Sequence, residues 1–110
     1  MSEQSSLEVV CLTGELDISR RAELAEALSR ASAGRAVLID LSDVPYADST
    51  VIGELLRFRN DAQDEGRRIA VLIGNPQFAR ILEYAGLSAA FHVFDQRGAA
   101  LTYLAGTERT

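Results

Sequence analysis

The sequence predicts one α/β domain, with a mixed central β-sheet of about four to five strands and about four helices. Three observations carry that expectation. AVLIDL (36–41) and RIAVLIG (68–74) are almost wholly apolar, the pattern of central strands covered on both faces. Between and after them, apolar residues recur at helical spacing. Strand-like and helix-like segments alternate with short connections throughout, which implies a mixed or parallel sheet layered with helices. The chain has 110 residues, 47% hydrophobic and 25% charged, enough for one core without disulfide support. It shows no repeat, linker or low-complexity segment, so residues 7–104 are read as the domain, between flexible ends at 1–6 and 105–110.

The first strand is LEVVCLT (7–13), β-branched and apolar between polar neighbours. GELD (14–17) turns the chain, and Ser19 is placed to cap a helix from about Arg20 to Ser32, with Leu24, Ala25, Leu28 and Ala31 along one face. Gly34 suits its stop. After the strand at 36–41, Pro45 ends ladder pairing. A second helix is expected from Thr50 to Asp64, with Val51, Ile52, Leu55, Phe58, Arg59 and Ala62 at helical spacing and Gly66 beyond its end. After the strand at 68–74, Asn75 followed by Pro76 opens a third helix, because proline at the first helical position forfeits no hydrogen bond. Phe78, Ile81, Leu82 and Ala85 give its inner face. AAFHVF (89–94) reads as a short strand, and Asp95 is placed to cap a last helix in which Ala100, Leu101 and Leu104 face inward.

Several chemistries are excluded or disfavoured. No run of about eighteen apolar residues is present, so no membrane insertion is expected, and the first residues lack a secretory pattern. Cys11 has no second cysteine to pair with, which fits a cytoplasmic setting, and its strand position suggests a buried small hydrophobe. The net charge of −5 argues against nucleic acid, and the pairs Arg20–Arg21 and Arg67–Arg68 read as solvated faces. All 11 basic residues are arginine, which removes a phosphate-binding loop of the GK[ST] type and any Schiff-base lysine. His92, the single histidine, lies in an apolar strand and reads as structural. Neither a zinc set nor a GxSxG elbow is present. Asp40 with Asp43, and Asp64 with Glu65, read as solvated carboxylates. No self-contained enzyme and no cofactor are expected.

What remains is ADSTVIG (47–53), where a carboxylate and two hydroxyls meet an apolar run. Asp48 or Ser49 would serve as a helix cap, worth on the order of 1 kcal/mol. The context adds a second reading. If the first two strands lie side by side, Asp17 of GELD and Asp48 converge at one edge with Ser49 between them. LTGELD (12–17), VLIDLSDVPYADST (37–50), Gly53 and ILEYAGL (81–87) together resemble the STAS-domain family, specifically bacterial anti-anti-sigma factors, over residues 7–104.

That resemblance implies a phosphorylation site at Ser49, the hydroxyl after the aspartate of the family's DS[ST]G motif, with Thr50 as the lesser candidate. Asp17 falls on the family's companion acidic residue. The implied partner is an anti-sigma factor that is also an ATP-dependent serine kinase, with a serine phosphatase resetting the site; ATP and magnesium belong to the partner. Where the family motif has glycine, this chain has Val51, which either fills the groove against the sheet or blocks approach to the hydroxyl. Glu54 and Arg57 on the same helix are expected partner contacts. Two other functions compete: a scaffold subunit of a stress-sensing or lipid-transport complex, and a small-molecule binder. The absence of an N-terminal sensor segment disfavours the larger stress-sensing subunits, and the absence of a phosphate loop disfavours the binder.

Overall fold

The computed structural model describes residues 7–31, 35–87 and 91–106. The expected flexible segment 1–6, the helix stop at Ser32–Gly34, the opening of the strand expected at 89–94, and residues 107–110 lie outside them. Four strands form one sheet in the order β1 (Leu7–Thr13), β2 (Ala36–Asp43), β3 (Arg68–Ile73), β4 (Val93–Phe94). Every described pairing is parallel, so the sheet takes the parallel form of the mixed or parallel layer expected. The helices are α1 (Arg21–Arg30), α2 (Ser49–Asp64), α3 (Pro76–Tyr84) and α4 (Arg97–Ala105).

Two cores lie on opposite faces of the sheet. On one, Val10, Leu12, Val37, Ile39, Leu41, Ile69, Val71 and Ile73 pack with buried residues of α1, α2 and α3. On the other, Leu38, Ala70 and Leu72 pack with Ala100 and Leu104 of α4. Because both faces of β2 and β3 are covered, their sequences are apolar without alternation. β1 is an edge strand whose second face α4 does not reach. Its burial alternates accordingly, and Leu7, Val9 and Cys11 are exposed. Cys11 is therefore an outward residue of a half-covered strand, not the buried hydrophobe expected.

Five further expectations are corrected. The first helix is preceded by a single 3₁₀ turn, Ile18–Arg20, capped by Asp17 rather than Ser19, so α1 starts one residue later. The fourth strand is only two residues long, because Phe91 is already helical and His92 turns the chain at φ 50°. Gln96, not Asp95, precedes α4, and no side chain caps it. α4 runs on to Ala105, and Gly106 closes it in the left-handed conformation. On α3, Phe78 and Leu82 are buried while Ile81 and Ala85 are exposed.

Two polar groups expected at the surface are not there. Asp40, on the α4 face of β2, is only 8% exposed. Its Oδ1 accepts from the Ser42 amide (3.0 Å) and hydroxyl (2.6 Å), and its Oδ2 from Arg97 Nη1 (2.8 Å). Burial pushes this carboxyl up, but the Ser42 hydrogen bonds and then Arg97 outweigh it and hold it below the usual carboxylate range. Arg67 is likewise packed, with its side chain 9% exposed and Nη2 donating to the Ala31 carbonyl at the end of α1.

Candidate functional site

The parallel pairing of β1 and β2 continues beyond the sheet into the two loops that follow. Gly14 turns the chain at φ 79°, where a side chain is disfavoured, and its N–H donates to the Asp43 carbonyl (3.1 Å). Leu16 N–H donates to Tyr46 O (2.9 Å), and Asp48 N–H donates back to Leu16 O (3.0 Å). Leu16 and Ala47 face each other as an isolated parallel bridge, both buried. Asp17 and Asp48 each follow one of these buried anchors. The side-by-side strands that the sequence argument required are thus present, and they carry both aspartates to the same edge.

Each aspartate also does local work. Asp17 Oδ1 accepts from the Ser19 amide (3.0 Å) and from the Ser19 hydroxyl, and these bonds hold its carboxyl below the usual range. Asp48, half-buried, accepts from the Val51 amide (3.0 Å) and so caps α2. Arg20 fixes the GELD loop from behind: Nη1 donates to the Thr13 and Glu15 carbonyls, while Nε and Nη2 hold Glu23 at 3.0 and 2.9 Å. Sequence reasoning assigned Arg20 to a solvated face. The only sequence signal for its role is Glu23 three residues on, which helical spacing brings within reach.

Ser49 is the first residue of α2 and is exposed, as is Thr50. Val51 is fully buried in the core against the sheet. Of the two possibilities for this side chain, it fills the groove and does not stand on the hydroxyl-bearing surface. Ser49, Gly53 and Arg57 are all exposed and recur every four residues along α2. Glu54 lies behind that stripe, where its carboxylate takes Arg21 Nε at 2.9 Å and ties α1 to α2. Glu54 and Arg57 also line the shallow groove between these helices with Ile18, Ala22 and Ala25. Ile18 is 63% exposed, an apolar residue beside the acidic loop that sequence reasoning did not single out.

A helix N-terminus with an exposed hydroxyl, flanked by two carboxylates, suits modification and recognition. Among the described residues no group of three His, Cys, Asp or Glu is placed to hold a metal ion, and no helix is long and apolar enough to cross a membrane.

Comparison with known proteins gives the family and supports the fold. The family model described as "Mlab, STAS domain" matches residues 1–94. The chain belongs to the STAS-domain family. Among solved structures, an anti-sigma factor antagonist from Mycobacterium paratuberculosis superposes with a TM-score of 0.76 at 23% identity, covering 91% of this chain and 86% of that one. A sulfate transporter family protein from Wolinella succinogenes gives 0.76 at 20% identity, over 96% of this chain and 90% of the other. The anti-sigma factor antagonist SpoIIAA in its unphosphorylated form gives 0.76 at 19%, over 93% and 91%. SpoIIAA of Bacillus in its phosphorylated form gives 0.56 at 21%, over 83% and 85%. At these identities the likeness is one of fold.

Proposed function

We propose that this domain is an antagonist of an anti-sigma factor, switched by phosphorylation of Ser49. Unphosphorylated, it binds an anti-sigma factor that is also an ATP-dependent serine kinase, and so frees a sigma factor. Phosphorylated, it is released, and a serine phosphatase restores the binding form. The domain would act in the cytoplasm and needs no cofactor of its own.

The observation that carries this reading is the pairing of the GELD loop with the residues before α2, which sets the exposed Ser49 beside Asp48 and on the same edge as Asp17. A phosphate adds about −1.5 to −2 charge and strong acceptors. At the N-terminus of α2 the helix dipole favours it by roughly 0.3–1 kcal/mol, so the fold tolerates the modification. The neighbouring carboxylates oppose it. Unit like charges at about 5 Å and an effective dielectric of 20 repel by roughly 3 kcal/mol before screening. A partner that must desolvate the same surface meets a penalty of that order, and each 1.4 kcal/mol is about tenfold in affinity. Release then follows from charge alone, without rearrangement of the domain.

Gly53 adds support. A Cβ there would meet nothing within 4 Å, and the residue has no positive φ, so neither packing nor backbone conformation asks for glycine. It nevertheless costs the helix about 0.5–1 kcal/mol relative to alanine. Close approach of a partner surface one turn beyond Ser49 gives it a purpose.

A second reading has its own observation. The sulfate transporter family structure has this fold in a protein whose name is not one of sigma-factor control. In that reading the domain is a non-switching scaffold subunit of a larger complex, and Asp48 is only a cap. Affinity capture from lysate of the source organism separates the two. Recovery of an ATP-binding serine kinase by wild type and Ser49→Ala, but not by Ser49→Asp, supports the switch. Recovery of one non-kinase assembly by all three forms refutes it.

A further inference from the structure

An open groove runs along the seam between α1 and α2, starting beside the acidic loop. Its first part, about 530 Å³, has Ile18, Ala22 and Ala25 on one wall and Glu54 and Arg57 on the other. A second part of about 190 Å³ shares Ala25, Glu54 and Arg57 and continues to Ser29 and Asp61. The two form one channel, from Ala22 to Ser29 on α1 and from Glu54 to Asp61 on α2. Seven steps on each helix, at 1.5 Å each, give these walls a length of about 10 Å.

The lining combines three features. Ala22 and Ala25 are exposed and end at Cβ, so another backbone can come close. Ile18, 63% exposed, stands at the mouth as an apolar anchor. The charges are unequally settled. The Glu54 carboxylate is taken by Arg21 Nε at 2.9 Å. Arg57 is exposed, and among the described residues nothing takes its guanidinium. Asp61 lies one turn further on, but an acid four residues after a base is the weaker order on a helix, and no ion pair joins the two.

These features select the shape of the occupant. An extended segment laid here would turn its backbone N–H and C=O groups toward alanine methyls, leaving them unpaired. A helix arrives with those groups already bonded, and small residues at the contact let two axes pack at about 8–10 Å. The facing stripe of such a helix, at i, i+4 and i+7, has to set apolar side chains against Ile18, Ala22 and Ala25 and a carboxylate against Arg57.

We infer that this groove receives a helix of the kinase partner, one whose buried stripe joins apolar side chains to a carboxylate that answers Arg57. The choice of partner rests on the proposed function; the chemistry of the docking helix goes beyond it. Arg57 is eight residues beyond Ser49 on α2, about 12 Å, which exceeds the screening length of about 8 Å at physiological salt. The groove and the phosphorylated edge therefore act on affinity separately.

The test is NMR titration of the full chain with a synthetic, alanine-based helical peptide carrying two leucines and a glutamate at i, i+4 and i+7. The methyl resonances of Ile18, Ala22 and Ala25 are followed, and a peptide with lysine in place of the glutamate serves as control. Saturable binding of the glutamate peptide is expected, with the lysine peptide roughly fivefold weaker. Arg57→Glu should invert that preference, and Ile18→Ser should weaken both peptides alike; both sites are exposed, so the fold is not at stake. Arg80→Glu, on the exposed face of α3, should change nothing. In kinase capture, Arg57→Glu and Ile18→Ser should both lose the partner. Capture that survives Ser49→Asp but fails with Arg57→Glu would keep the groove and remove the phosphorylation switch. Capture that fails with Ser49→Asp but survives both groove variants would overturn the groove and keep the switch. A non-saturating response, equal binding of the two peptides, or a preference that Arg57→Glu leaves in place would also overturn the inference.

Discussion

Asp48 stands both as the cap of α2 and as a charge beside Ser49, and two substitutions separate these roles. Asp48→Ala removes the bond to the Val51 amide, 3.0 Å long and half-buried, together with the charge. Loss of such a cap costs about 0.5–2 kcal/mol. Asp48→Asn keeps an oxygen acceptor and loses only the charge at the helix N-terminus, about 0.3–1 kcal/mol at most. For 110 residues at about 2.1 cal/mol/K each, the unfolding entropy is roughly 0.23 kcal/mol/K, so 1 kcal/mol corresponds to about 4 °C. Thermal unfolding by circular dichroism should therefore show a Tm fall of about 2–9 °C for Asp48→Ala and about 1–4 °C for Asp48→Asn. Binding to the kinase should follow a different order, because both variants change the charge that the partner meets. An Asn variant as unstable as the Ala variant would refute the cap. An Ala variant with wild-type Tm would do so as well.

Three further outcomes follow from the same geometry. Gly53→Ala should raise Tm by about 2–4 °C, since the added methyl meets open space and improves helix propensity, while weakening capture of the kinase; unchanged capture would remove the partner-approach argument. Val51→Gly, which restores the family residue, should cost about 2–4 kcal/mol in denaturant unfolding, because a fully buried side chain is lost and glycine enters a helix; a cost under 1 kcal/mol would contradict its place in the core. Asp40→Asn should destabilise by about 1–2 kcal/mol at pH 7, a modest figure because Arg97 is half exposed and regains water. The Asp40 carboxyl is held below the ordinary value of about 3.9 in the folded state, so its stabilisation is complete above that pH and is lost as pH falls through the lower folded value. The gap between wild type and Asp40→Asn should thus narrow below about pH 4; a gap constant with pH would mean that the carboxylate charge is irrelevant.

How far these features could be read from sequence depended on whether their causes were local. β2 and β3 were legible because covering a strand on both faces leaves an uninterrupted apolar run. The α3 start was legible because Asn75 and Pro76 act on their immediate neighbours, and Asn75 Oδ1 does accept from the Gln77 and Phe78 amides. Cys11 was misread because its exposure is set by the reach of α4, a helix more than eighty residues away in the chain. Asp40 was misread because its partner Arg97 lies 57 residues on, and Arg67 because it answers a carbonyl 36 residues back. At the candidate site, the order of motifs was visible while the pairing of Leu16 with Ala47, which brings the two loops together, required the fold. The burial of Val51 similarly became decidable only once the groove it fills was in view.

The central claim is that Ser49 is the residue through which this domain is switched. The most direct measurement is phosphosite mapping by mass spectrometry of the purified chain after incubation with ATP and lysate of the source organism, run beside Ser49→Ala. One phosphate on Ser49, absent from the Ser49→Ala chain and removed on withdrawal of ATP by the lysate's phosphatase, is the expected result. A chain left unmodified, or modified elsewhere with Ser49 bare, would contradict it.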